Sequence, residues 1–200
     1  MKTIIAAFMA VLLLAAMQAR AAAIVGETAP DFSAGGASGK TVKLSDYKGK
    51  IVVLEWTSSE CPFVHKWYDS GNMQKLQKKA AGEGVVWLSV NSSATGKPGH
   101  WDTVAAKDWI KTTGAAPADI LLDAGGEVGH MYGAQTTPHM FVIDKDGKLV
   151  YAGAIDSIAS ANADDIPKAT NYVEQAIAEL SAGKSVSMNS TKSYGCGVKY

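Results

Sequence analysis

The chain has 200 residues, 19 basic and 19 acidic side chains, 47% hydrophobic residues and two cysteines. A neutral balance without a basic patch excludes a nucleic-acid surface built on phosphate contacts. Two cysteines are too few for a small disulfide-stapled scaffold.

In chain order, Lys2 is followed by an apolar run over 4–16, about 13 residues. A membrane span needs roughly 20. The Ala-x-Ala spacings at Ala19, Ala21 and Ala23 fit a cleavage site, so residues 1–23 are predicted to be a signal peptide. No cysteine follows the run to take a lipid, and no later run is long enough to span a bilayer, so no membrane anchor is expected after processing. Without Lys2 and Arg20, 17 basic residues face 19 acidic ones, and no arginine is left. The remaining chain divides into a domain over 24–183, large enough for its own core, and a polar, loosely structured tail over 184–200. The expected location is the periplasm or the outside of the cell, where disulfides persist.

Residues 40–44 alternate like a short strand, and the β-branched run 51–56 reads as a buried central strand. After Cys61, the residues Phe63, Val64, Trp67, Met73, Leu76 and Ala80 have helical spacing, with an irregularity near Gly71. Residues 85–90 form the next strand. Asp102 or Thr103 caps a helix running to about 112, with Val104, Ala105, Trp109 and Ile110 inward. A short strand over 120–122 and a short helix over 127–132 follow. Lys145, Asp146, Gly147 and Lys148 join two strands as a hairpin. Helical spacing over 166–182 ends near Gly183. This order predicts an α/β fold with a mixed central sheet flanked by helices.

The chemistry centres on Cys61 and Cys196, the only cysteines. Cys61 stands where a strand hands over to a helix. Free N–H groups and the helix dipole there favour a thiolate, and Pro62 suits a first helical turn. Ser58 is placed to donate to the sulfur, whereas Glu60 opposes ionisation. The alternative is a buried structural cysteine. Cys196 has three readings: a thiol that resolves a species formed at Cys61, a fixed disulfide with Cys61, or an unpaired tail thiol. A fixed bond would close a loop of about 135 residues and stabilise by at most ~5 kcal/mol.

The entry Ala29-Pro30-Asp31-Phe32, the Cys61-Pro62 helix start, Thr137-Pro138 before a strand and the hairpin together resemble the thioredoxin-like superfamily. Within it the chain is most similar to the redoxin branch of peroxiredoxin-like and thiol-disulfide interchange proteins. The ending Gly195-Cys196-Gly197-Val198-Lys199-Tyr200 resembles that of an exported bacterial subgroup. The resemblance implies a cis Thr137–Pro138 bond beside the active cysteine, with the preceding backbone free to pair with an extended substrate. It implies catalytic roles for Cys61, Cys196, Ser58, Thr137 and Pro138, and substrate contacts from Trp56, Pro62 and His139.

The chain departs from the family in three ways. Ser58 replaces the first cysteine of Cys-x-x-Cys, and Leu54 replaces the proline of the peroxiredoxin motif. The arginine that holds a peroxide is also missing, and lysine does not copy its forked donors. The expected activity is that of an exported thiol oxidoreductase, a thiol-disulfide oxidoreductase or an atypical peroxiredoxin. Its partners are a protein thiol or disulfide, or a small peroxide, together with a reductant protein. No cofactor is expected.

The alternatives are a fixed structural disulfide or a metal-binding module. In the latter, His65, one helical turn after Cys61, joins Cys61 and His139 on copper or zinc. His65 reads more simply as a solvated helix residue.

Overall fold

The computed structural model describes residues 23–200. The predicted signal peptide therefore lies outside the described residues, apart from Ala23. Among the described residues, no helix is long and apolar enough to cross a membrane.

The expected mixed α/β architecture is present. Strand β3 (Val52–Trp56) lies at the centre of a five-stranded sheet. It pairs in parallel with β4 (Val86–Asn91), which pairs in parallel with β5 (Asp119–Leu122). On its other side β3 pairs antiparallel with β7 (His139–Ile143), and β7 with β8 (Leu149–Gly153). Two short strands, β1 (Ser33–Gly35) and β2 (Thr41–Lys43), form a hairpin before the sheet.

Every residue of β3 is buried because both faces of the sheet are covered. On one face, Val53, Trp87, Ile120 and Met140 meet Val64, Trp67 and Tyr68 of α1 (Pro62–Asp69) and Met73 and Leu76 of α2 (Asn72–Gly82). Ala106 and Trp109 of α3 (Thr103–Thr113) and Val173 and Ile177 of α5 (Tyr172–Ser181) complete this layer. On the other face, Leu54, Trp56, Leu88 and Phe141 meet Val128, Met131 and Tyr132 of α4 (Glu127–Tyr132), together with Phe32 from the N-terminal segment.

One charged residue interrupts the apolar run of β3. Glu55 is fully buried. Its carboxylate accepts from Trp87 Nε1 (2.7 Å), Tyr68 OH (3.0 Å), Ser89 Oγ (3.1 Å) and Gln77 Nε2 (3.3 Å). Burial nonetheless raises its pKa, against the pull of these four donors.

Several expectations change. The irregularity near Gly71 is a true break. Gly71 takes φ +74, a left-handed conformation that favours glycine, and separates α1 from α2. Val104 is 75% exposed rather than inward, and Ala106 and Trp109 make the buried stripe of α3. The last helix starts at Tyr172, not 166. The preceding turn (Ala163–Lys168) is a 3₁₀ segment containing Pro167, and Asn171 caps the new start by accepting from the Glu174 N–H. The tail is not loose. It ends in strand β9 (Cys196–Gly197), antiparallel to β6 (Thr136–Thr137).

Candidate active site

Cys61 caps the N-terminus of α1 with extended backbone, φ −101 and ψ 116. Its carbonyl accepts from Val64 N (2.9 Å) and His65 N (3.0 Å), and Pro62 occupies the first turn. The approach loop is tied down on both sides. Thr57 N donates to Val90 O at 2.9 Å, and Trp101 Nε1 donates to Ser59 Oγ at 3.0 Å. A cavity of about 620 Å³, lined in part by Ser59, Glu60, Pro62 and His65, borders this loop and the first turns of α1.

Thr137–Pro138 is a cis peptide bond. The Thr137 carbonyl accepts from the Cys61 thiol at 2.8 Å. Pairing between β6 and β9 puts Cys196 directly opposite Thr137. The two cysteines are free thiols, and each shifts the ionisation of the other. Cys61 is only 1% exposed, and Cys196, itself partly exposed, packs against its cluster.

The two thiols are not equivalent. Burial opposes ionisation of Cys61. The polar groups around its sulfur outweigh that effect: the Thr137 side chain, the Cys196 thiol, and the backbone N–H groups of Cys196 and Val64 all favour the ionised form. They hold Cys61 below the ordinary thiol range, while the Thr137 carbonyl favours the protonated form. Cys196 is pushed up to about 11, first by burial, then by its bond to Cys61 and the charge there. Cys61 is made the more acidic of the two thiols and Cys196 the less acidic.

The remaining predicted residues divide. Ser58 is buried, but its hydroxyl accepts from the Glu60 N–H at 3.3 Å, and the groups that favour ionisation of the sulfur are those named above. Trp56 belongs to the opposite face of the sheet, where its Nε1 donates to Ser92 Oγ at 3.0 Å. His139 lies beside Phe141 of that same opposite cluster, and burial pushes its pKa down to about 4. Strand alternation puts both on the side away from Cys61. His65 bonds to Asp69 (3.1 Å) and to the Ser59 carbonyl (2.7 Å). Burial opposes its protonation, but these acceptors raise its pKa overall. Among the described residues, no group of three or more His, Cys, Asp or Glu side chains is arranged to hold a metal ion.

Sequence reasoning missed the group that docks the tail. Lys66 Nζ and Asp156 Oδ2, both fully buried, form an ion pair at 2.9 Å. Tyr194 OH donates to Asp156 Oδ1 at 2.5 Å, and its ring packs edge-on against Phe63. At the other end, Tyr200 OH donates to Ala134 O at 2.7 Å, and its ring stacks on His130 at 4.0 Å. The only sequence signal was two tyrosines flanking the tail cysteine.

A redox-poised thiol at a helix start, a cis-proline beside it and a mixed sheet of this order define a thioredoxin-like redoxin. Residues 25–152 match the AhpC/TSA family, and the chain belongs to that family. It is 30% identical over 126 residues to the thiol-disulfide oxidoreductase ResA of Bacillus thuringiensis subsp. konkukian, covering 63% of this chain and 67% of the relative. It is 32% identical over 133 residues to the selenocysteine-containing peroxiredoxin PrxU of Peptoclostridium acidaminophilum, covering 62% and 64%. These similarities put the chain among thiol-based redox enzymes. Among solved structures, a hypothetical protein of Sinorhizobium meliloti shares the fold with a TM-score of 0.74 at 24% identity, covering 88% of this chain and 94% of that one. The exposed lipoprotein thioredoxin Etrx1 of Streptococcus pneumoniae matches with a TM-score of 0.52 at 27% identity, covering 75% and 99%.

Proposed function

We propose that the chain is an exported thiol-disulfide oxidoreductase in which Cys61 is the nucleophile and Cys196 the resolving thiol. The observation that carries this reading is the strand pairing that sets Cys196 opposite Thr137, whose carbonyl accepts from the Cys61 thiol beside a cis-proline, with the two free thiols shifted in opposite directions. The Cys61 thiolate attacks one sulfur of a partner disulfide. A Cys61–partner bond forms, and the second partner sulfur leaves as a thiolate that takes up a proton. The negative charge at Cys61 disappears, which relieves one of the effects holding Cys196 protonated. Cys196 then loses its proton and attacks Cys61. The partner departs fully reduced and the chain carries a Cys61–Cys196 disulfide. A dithiol reductant protein restores the pair.

A disulfide is favoured over a peroxide because residues 24–200 contain no arginine to hold the peroxide oxygens. Export is supported by the leader-like pattern of residues 1–23 and by the likeness to an exposed lipoprotein thioredoxin.

Cys196→Ser is expected to stop the cycle after the first step. A mixed disulfide between Cys61 and a peptide disulfide then accumulates stoichiometrically, visible as added mass on non-reducing electrophoresis and mass spectrometry. Wild-type turnover in this variant would sink the resolving role.

The pH profile supplies a second test. The alkylation rate of Cys61 in the reduced protein should rise with a midpoint below the ordinary thiol value of about 8.5, whereas Cys196 titrates near 11. Thr137→Val removes the hydroxyl that helps lower the Cys61 pKa but keeps the backbone carbonyl, so the Cys61 midpoint should move up. A midpoint that stays put would show that the Thr137 hydroxyl has no part in ionising the sulfur.

A further inference from the structure

The backbone edge beside Cys61 is occupied by the chain itself. Thr136 and Thr137 pair with Gly197 and Cys196 over only two residues. Val198 N extends the pairing to Gln135 O at 3.0 Å, and Ala94 N donates to Lys199 O at 2.8 Å. Contacts in this stretch are mainly backbone to backbone, which any extended peptide can reproduce. Side-chain recognition sits at the two ends: Tyr194 against Phe63 and Asp156, and Tyr200 against His130 and Ala134. Glycines let the tail lie this close: a Cβ at Gly129 would run into the Tyr200 ring, and a Cβ at Gly195 would run into the Thr137 carbonyl.

We infer that residues 194–200 are a displaceable internal strand lying on a peptide-binding edge, and that the partner is an extended segment with a disulfide-bonded cysteine and an aromatic residue two positions before it. This rests on the reading of Cys61 as nucleophile. The register opposite Thr137 delivers the sulfur of Cys196 to Cys61, so a foreign strand in the same register delivers its own disulfide sulfur there. The position of Tyr194 two residues earlier then becomes a socket for the partner's ring. The tail must leave before such a strand can dock, and must return for Cys196 to resolve the mixed disulfide. The same tail accounts for the near-complete burial of a sulfur expected to react.

The test compares Cys196→Ser with the double variant Cys196→Ser/Gly195→Ala, in which Cys61 is the only thiol. Alanine at 195 must adopt φ +133 and meets the Thr137 carbonyl, so it levers the strand away. Iodoacetamide should alkylate Cys61 about ten-fold faster in the double variant, the scale of losing one or two net hydrogen bonds. A peptide with Tyr two residues before a cysteine, disulfide-bonded to a small thiol, should be captured faster by a similar factor. Its Ala counterpart should react several-fold more slowly. Tyr194→Phe in the Cys196→Ser background keeps the ring and loses only the hydroxyl, and should shift alkylation in the same direction by less. Equal alkylation across all three proteins overturns the inference, as does equal capture of the Tyr and Ala peptides. If Cys61 captures neither peptide in any variant but alkylates normally, the proposed exchange function falls instead.

Discussion

With Cys61 as the proposed nucleophile, Cys61→Ser is expected to abolish thiol-disulfide exchange. The thiolate is the nucleophile in such chemistry, and a serine hydroxyl does not ionise in the working pH range. The expected loss is about a thousandfold or more, as for removal of other covalent nucleophiles. The fold should survive. Serine is smaller than cysteine, and its hydroxyl can still donate to the Thr137 carbonyl where the thiol does now. Turnover of a peptide disulfide and thermal melting, measured side by side, separate chemistry from stability. A Cys61→Ser protein that folds and still turns over would transfer the nucleophilic role to Cys196. The high pKa of Cys196 makes it the poorer attacking thiol at neutral pH.

Asp156→Ala produces the largest expected loss of stability. Lys66 and Asp156 have fully buried side chains, and Lys66 Nζ also donates to Ile158 O at 3.2 Å. Removing the carboxylate leaves an ammonium in the interior without its counter-charge, at a cost of about 3–5 kcal/mol. For a domain of this size each kcal/mol lowers Tm by about 2–4 °C, so the melt should fall by about 6–20 °C. The Tyr194 hydroxyl loses its acceptor in the same variant, so the tail loosens along with the core. The double variant Lys66→Met/Asp156→Leu should recover most of the stability, because well-packed apolar residues replace a buried ion pair at little cost. It should not recover the docking of the tail. A double-mutant cycle on Tm, with Cys61 alkylation as a second readout, distinguishes the two effects. Melting within 2–3 °C of wild type for Asp156→Ala would show that Lys66 escapes to water when its partner is removed.

Features written in local pattern were legible in the sequence. The β-branched run ending at Trp56 and the hairpin at Asp146 and Gly147 each carry their signal within a few residues, and each appears near its expected place, and the irregularity at Gly71 marks where one helix becomes two. The position of Cys61 at a helix start was equally local. Val104 misled because an apolar residue one position off the buried stripe of a helix looks inward when the stripe is inferred from spacing alone. The start of α5 was missed because Ile166 continues the helical spacing while Pro167 and the Asn171 cap divide the segment. The tail was illegible for another reason. Tyr194 finds its partner 38 residues away and Tyr200 finds its partner 66 residues away, and neither contact leaves a trace in neighbouring residues. Trp56 and His139 sit close to the active cysteine in the motif, yet strand alternation carries both to the far side of the sheet.

Glu55 bears on how the reactive sulfur is aimed. Its four donors come from three different elements: Tyr68 from the last turn of α1, Gln77 from α2, and Trp87 and Ser89 from β4. An eight-residue helix is about 12 Å long. If α1 pivoted by about 10° at its Tyr68 end, the opposite end would swing by about 2 Å. That displacement is comparable to the gap between a bonded and a non-bonded contact at Thr137. The buried acid thus works as a rivet at the heel of a lever whose tip carries Cys61, and the accuracy of the tip is fixed deep in the interior.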